Sequence, residues 1–213
     1  MKKLVLAAAV AVSSLTFAQQ FGIKGGMNVS SLSKDSGLSD QKSKIGFNAG
    51  AFVNAPLGSN FSIQPELIYT QYGEKSSANN QTVIDNGAIK TNQTISSASH
   101  LDYIALPVMF QYNATPSFYL EAGPEFGLNV NASNKVKNET SGNTLAETGN
   151  YNDQINKFNL GIGIGAGYYF TPQLGLTARY VAGVTDIAKD RPNNSSSVRN
   201  NVFQVGLAYK FAK

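Results

Sequence analysis

The sequence predicts an all-β chain folded as an eight-stranded antiparallel up-and-down transmembrane β-barrel, and three observations carry that expectation. Apolar and polar residues alternate with period two over eight separate stretches, as in strands whose two faces meet different surroundings. The connectors between stretches alternate in length, short ones carrying Pro, Gly and Thr and long ones rich in Asn, Ser, Thr and Lys. Composition agrees: of 213 residues, 42% are apolar, 14% charged and 20 are Gly, against about 25% charged and about 7% Gly in an ordinary domain.

Residues 1–18 are expected to be a Sec-type signal peptide and 19–213 the barrel domain. Lys2-Lys3 form a basic start, Leu4 to Val12 an uncharged apolar run, and Thr16-Phe17-Ala18 a small-residue cleavage site. With no Cys in the chain, lipid anchoring at that site is excluded. The first strand then sets Phe21, Ile23 and Met27 against Lys24, Gly26 and Asn28. The second opposes Ile45, Phe47, Ala49, Ala51 and Val53 to Lys44, Gly46, Asn48 and Gly50. In the third, Phe61, Ile63, Pro65, Leu67 and Tyr69 oppose Ser62, Gln64, Glu66 and Thr70. The fourth sets Ile104, Leu106, Val108, Phe110 and Tyr112 against Tyr103, Ala105, Pro107 and Gln111. The fifth is the plainest comb, with Phe118 through Val130 apolar at even positions and Glu121, Glu125 and glycines between. The last three follow the same rule at 158–170, 174–184 and 203–211.

The stretch 158–178 has no charge over 21 residues and could be read as a membrane helix. Gly161, Gly163, Gly165 and Gly167 argue against it, each costing a helix about 1 kcal/mol against Ala, and Thr171-Pro172 interrupts the run. Two strands and a turn fit better. An even strand number lets the meander close without an edge. The four long connectors, 31–43, 74–98, 132–154 and 185–199, are expected to be surface loops on the side opposite the termini.

A soluble barrel would alternate too, with its apolar face inward. Past the signal segment, ten of eleven Phe lie on the apolar face, Phe52 being the exception, and aromatics gather at strand ends as interfacial girdles do. The other face offers Gly, Glu, Lys, Arg and Gln, suited to a small polar lumen. The apolar face is therefore assigned to lipid.

Little else in the chain carries chemistry. Zero Cys and a single His remove thiolate nucleophiles, thiolate metal sites and multi-histidine sites. The net charge is +4, or +2 without Lys2 and Lys3 (15 basic against 13 acidic residues), too small and scattered for nucleic acid. Glu121 and Glu125 share a strand face roughly 13 Å apart, beyond the ~5–9.5 Å of a glycosidase pair. His100, with Ser96, Ser97 and Ser99 nearby, is expected on a loop with nothing to fix a catalytic geometry. No catalytic, cofactor-binding or metal-ligating residue is assigned and no cofactor is expected. The inward charges balance instead: Lys24, Arg179 and Lys210 against Glu66, Glu121 and Glu125, expected as a polar network plugging the lumen.

The segments 22–30 (GIKGGMNVS), 103–112 (YIALPVMFQY), 119–124 (YLEAGP) and 178–187 (ARYVAGVTDI) resemble the PorT-type outer-membrane β-barrel family. The near-terminal Tyr209-Lys210-Phe211 is similar to the last-strand signal of barrel assembly, and Ala105 stands where such proteins often carry an inward acid. The resemblance implies a bacterial outer-membrane protein, exported by Sec and freed of its signal. A structural or interaction role through the four long loops is expected, in a non-enzymatic monomer surrounded by outer-membrane lipid. Other envelope or extracellular proteins would be the partners. The alternatives are a narrow porin-like channel and an accessory barrel of type IX secretion.

Overall fold

The computed structural model describes residues 19–33, 41–148, 155–189 and 197–212. The expected signal peptide and parts of the connectors 31–43, 132–154 and 185–199 lie outside them. The described residues form nine strands: β1 Gln20–Ser33, β2 Gln41–Pro56, β3 Phe61–Asp85, β4 Ala88–Asn113, β5 Phe118–Asn138, β6 Thr144–Thr148, β7 Phe158–Tyr169, β8 Leu174–Gly183 and β9 Arg199–Lys210. Eight of them form a closed antiparallel ring in chain order, with β4 on β5, β5 on β7, and β9 returning to β1. The sixth, β6, pairs with β5 beyond the ring. The uncharged stretch considered above as a helix is β7 and β8 with a turn between them.

The alternation read in the sequence is the in–out alternation of the ring. Phe52 is the one buried phenylalanine among the described residues, at 2% exposure, lying with the polar and glycine positions inside. Outside, Phe21, Phe47, Phe61, Leu67, Leu106, Phe126, Ile162, Tyr180, Phe203 and Leu207 are all exposed. Such a continuous apolar wall is far larger than a water-soluble monomer tolerates, and it is what lipid requires.

The short-turn end is built by repeated local chemistry. In Thr115-Pro116-Ser117-Phe118 the Thr115 hydroxyl accepts from the amides of Ser117 and Phe118 at 3.2 and 2.9 Å. Thr171-Pro172-Gln173-Leu174 does the same at 3.3 and 2.8 Å. The proline fixes φ while the hydroxyl replaces a backbone acceptor.

The opposite end corrects the expectation of loops at 74–98 and at 132–154, where 132–138 belong to β5 and 144–148 to β6. Residues 74–98 are not a loop: β3 and β4 run on as a paired ribbon to Asp85↔Ala88, joined by Asn86-Gly87. Both turn residues have positive φ, 52° and 78°, the geometry of a tight two-residue hairpin that Asn-Gly favours. Two bulges in the ribbon, with Asn80 and Asn92 at φ 57° and 59°, cancel each other's register shift. From Gln71↔Asp102 to the tip is roughly 45 Å of strand at ~3.3 Å per residue. The upper part of β5 pairs with β4 and with β6, so β3–β4–β5–β6 stand together above the ring as an arm. His100, Ser96, Ser97 and Ser99 are accordingly on strand β4.

Asp85 fastens the arm's tip. Its carboxylate accepts from Ser141 Oγ at 2.5 Å, Asn143 Nδ2 at 2.8 Å, Asn138 Nδ2 at 3.0 Å and Lys90 Nζ at 3.1 Å. The hydrogen bonds from Ser141 and Asn143, with help from Lys90, hold its carboxyl down at about 2.

Candidate functional site

Among the described residues, the ring brings a dense set of buried ionisable side chains together in the lumen. At its short-turn end, Phe52, Tyr119, Tyr169 and Ala208 form an apolar cluster. Each ring there lies across a glycine on the next strand: Phe52 on Gly22, Tyr119 on Gly167, Tyr169 on Gly175, all direct register partners. A Cβ at Gly167 would stand 2.3 Å from Tyr119 Cζ, so the bare backbone is what admits the ring.

Above this lie four charges in a closed arrangement. Arg179 on β8 donates through Nη1 and Nη2 to the two oxygens of Glu66 on β3, at 3.0 and 2.7 Å. Its Nε donates to Glu121 Oε1 on β5 at 2.7 Å. Lys24 on β1 donates to Glu66 Oε2 at 3.0 Å, and Gln64 Nε2 to Oε1 at 2.9 Å. Glu121 also accepts from Gln111 Nε2 at 3.0 Å, while Gln111 Oε1 accepts from Asn54 at 2.7 Å. Two cations face two carboxylates, every one of the four at most 9% exposed. Single buried charges would cost several kcal/mol each, and the shared fork-to-carboxylate bonds offset much of it.

Two of the six residues expected in this network make their direct contacts with other side chains. Glu125 points to the long-arm side and accepts from the hydroxyl of Tyr72 at 2.5 Å. Lys210 has its Nζ 3.9 Å from the centre of the Tyr169 ring, a cation–π contact near the short-turn end. All six share the inward face, and height along the barrel axis gives these two different neighbours. Sequence reasoning missed Tyr72, Gln64, Gln111 and Asn54. The first is the partner of Glu125, and the other three extend the charged cluster with amides.

The upper end is capped by an apolar cluster of Leu32, Tyr72, Leu101, Tyr103, Ala132, Ile187, Val198 and Val202. Ile187 and Val198 belong to the connector expected as a surface loop, and the described part of it turns into the mouth. The Ile187 amide donates to Val198 O at 2.9 Å, and Asn156 Nδ2 donates to Asp186 O at 2.9 Å. From one end to the other, the ring encloses rings, ion pairs and aliphatic side chains.

Two of the three hydroxyls near His100 are committed to other partners. Ser96 donates to Glu139 at 2.5 Å and Ser97 to Asn134 at 2.9 Å. No group of three or more His, Asp or Glu able to hold a metal occurs among the described residues.

A closed ring with a lipid-compatible exterior and a polar interior defines a membrane-spanning β-barrel. The chain matches the family model of the outer membrane protein beta-barrel domain over residues 17–189, and it belongs to that family. It is a small outer-membrane β-barrel protein. No curated protein sequence matches it. Among solved structures it is similar to Ail, the attachment invasion locus protein of Yersinia pestis, at 13% identity, covering 92% of this chain and 100% of that one, with a TM-score of 0.49. Neisserial surface protein A is 14% identical, with coverages of 91% and 99% and a TM-score of 0.45. For OprG of Pseudomonas aeruginosa the values are 12%, 92%, 97% and 0.39.

Proposed function

We propose that this protein is a non-enzymatic, monomeric barrel that acts through the β3–β4–β5–β6 arm and its neighbouring connectors, with a lumen closed to solutes. The observation that supports this most is the continuous filling of the lumen, from Phe52 and Tyr119 through Arg179 and Glu66 to Tyr72 and Ile187. Eight strands leave an interior just wide enough for side chains, and here side chains occupy it. On this reading residues 1–18 direct Sec export and are removed, the short turns face the periplasm and the arm stands outside the cell. Partners are other envelope or extracellular proteins met by the arm. The motifs at 22–30, 103–112, 119–124 and 178–187 support a place in the PorT-type family.

Planar-bilayer recording on the purified protein tests the closed lumen. The expected result is the absence of steady unitary conductance. Steady ion currents in the wild type would replace this reading with a narrow channel. Protease added to intact cells should cut within the arm and leave the ring assembled, and cleavage only after outer-membrane rupture would invert the orientation.

A further inference from the structure

We propose that Asn86, at the tip of the arm, is a self-modification site: the backbone nitrogen of Gly87 attacks its side-chain amide, and the isoaspartate that results releases the tip from the β5–β6 turn. The inference goes beyond the functional reading above. It needs only the geometry of the tip, on whichever side of the membrane the arm stands.

The reaction consumes water and no other reagent. The Gly87 nitrogen loses its proton and bonds to Asn86 Cγ, the bond from Cγ to the side-chain nitrogen breaks, and ammonia leaves. The product is a five-membered imide spanning the two residues. Water then opens the ring at one of its two carbonyls. Breaking the new bond to Cγ gives aspartate on an ordinary backbone. Breaking the old bond to the main-chain carbonyl gives isoaspartate, whose backbone runs through Cβ and Cγ and is one carbon longer.

Sequence and surroundings single out this asparagine. Asn86-Gly87 is the only Asn-Gly pair in the chain, and a glycine nitrogen carries no Cβ beside it to obstruct the closing ring. Both residues are exposed, and a Cβ at Gly87 would have no atom within 4 Å, so the peptide plane between them has room to turn towards Cγ. Among the described residues nothing bonds to the Asn86 side chain. Its neighbours at the tip are engaged: Asn143 and Asn138 donate to Asp85 at 2.8 and 3.0 Å, and Asn79 Oδ1 accepts from Thr94 at 3.1 Å. Asn80 and Asn92 supply the contrast. They are exposed and left-handed like Asn86, at φ 57° and 59° against 52°, but Gln81 and Gln93 follow them.

The conversion strikes the clamp directly. Asp85 pairs with Ala88 across a loop of two residues, and in so short a loop the turn geometry fixes the register of the strands. An added backbone carbon between Asn86 and Gly87 no longer fits that closure. Asp85 is the residue before it, so its carboxylate is carried off Ser141 and Asn143. A second carboxylate also arrives beside Asp85, where Lys90 is the one cation in contact. Hydrolysis of the amide runs one way in water, so the tip, once released, stays released.

The test ages the protein, folded in phosphatidylcholine vesicles, at mildly alkaline pH, against a matched sample kept cold and slightly acidic. Peptide mapping by mass spectrometry and enzymatic methylation of isoaspartate read the conversion. Asn86 should convert faster than Asn80 and Asn92 by about tenfold or more, since only Asn86 precedes a residue without Cβ. The rate should rise with pH, because the attacking nitrogen must lose its proton. Trypsin cleavage after Lys90 should quicken several-fold as isoaspartate accumulates, a comparison of aged with fresh wild type that needs no variant. Asn86→Ser, with no amide to lose, should age without either change. No isoaspartate at position 86 by the time a free peptide of residues 83–90 has fully converted overturns the site. Equal conversion at Asn80 or Asn92 overturns the part given to Gly87. Full conversion with an unchanged cleavage rate after Lys90 overturns the release of the tip.

Discussion

Arg179 is the side chain on which the lumen's charge balance turns. It and Lys24 neutralise Glu66 and Glu121, and its guanidinium donates to these two buried carboxylates at 2.7–3.0 Å. Replacing it with Met keeps volume and leaves one uncompensated negative charge in a site shielded from water. Breaking a buried pair in this way costs about 3–5 kcal/mol. With a urea slope of about 2 kcal/mol per M, the unfolding midpoint should fall by roughly 1.5–2.5 M. Adding Glu121→Gln removes the surplus charge and leaves Glu66 with Lys24 and Gln64, so the double variant should recover a large part of the loss. Arg179→Lys, which keeps charge but loses the two-pronged geometry, should fall between. The chain contains no Trp, so unfolding is best followed by far-UV circular dichroism and by the gel mobility of unheated samples. An Arg179→Met midpoint within a few tenths of a molar of wild type would refute the reasoning, as would a double variant no better than the single.

Three further outcomes follow from particular contacts. Asp85 has its carboxyl lowered from 3.8 to about 2 by Ser141, Asn143 and Lys90, so its contribution to docking the arm is complete above about pH 5. It should be lost as pH falls through 4 towards 2. Amide protection in 138–144, corrected for the intrinsic pH dependence of exchange, should fall over that window, and Asp85→Asn should flatten the profile. Gly167→Ala forces a Cβ into the Tyr119 ring and should cost about 1–3 kcal/mol, but little when made in a Tyr119→Ser background, as read from urea midpoints. Gly87→Ala places a side chain at φ 78°, which should fray the hairpin tip and speed its proteolysis without moving the midpoint of the ring.

The ring was legible because lipid outside and a packed lumen inside impose opposite demands on successive residues. Phe118 to Val130 shows it most clearly, with Glu121 and Glu125 buried and Leu120 and Leu128 exposed. The arm was not legible for the same reason. Above the membrane no apolar wall is required, and SSANNQTVID loses the period-two signal while remaining paired strand. Asn86-Gly87, a strong hairpin turn by its chemistry, was the signal that could have revealed it. Facing was readable, whereas height along the axis was not. Glu125 and Lys210 share a face with Arg179 but meet Tyr72 and Tyr169 instead.

The pairing of β1 with β9 has a consequence for how the molecule is made. Gly22 lies opposite Lys210, and Gly26 opposite Gly206, so the first strand synthesised is completed by the last. Every other neighbour in the ring is near in sequence and can zip onto a growing sheet. This seam must close a loop containing nearly the whole chain, with the entropic penalty that entails. Until it closes, β1 and β9 are two bare edges on an open sheet whose outer face is apolar, the kind of surface that recruits other chains. At Gly26 the ladders come so near that a Cβ would stand 2.2 Å from Val205 O. The seam therefore acts as a latch whose fit is set by backbone alone, and a methyl group at Gly26 should trap the chain before it becomes a cylinder.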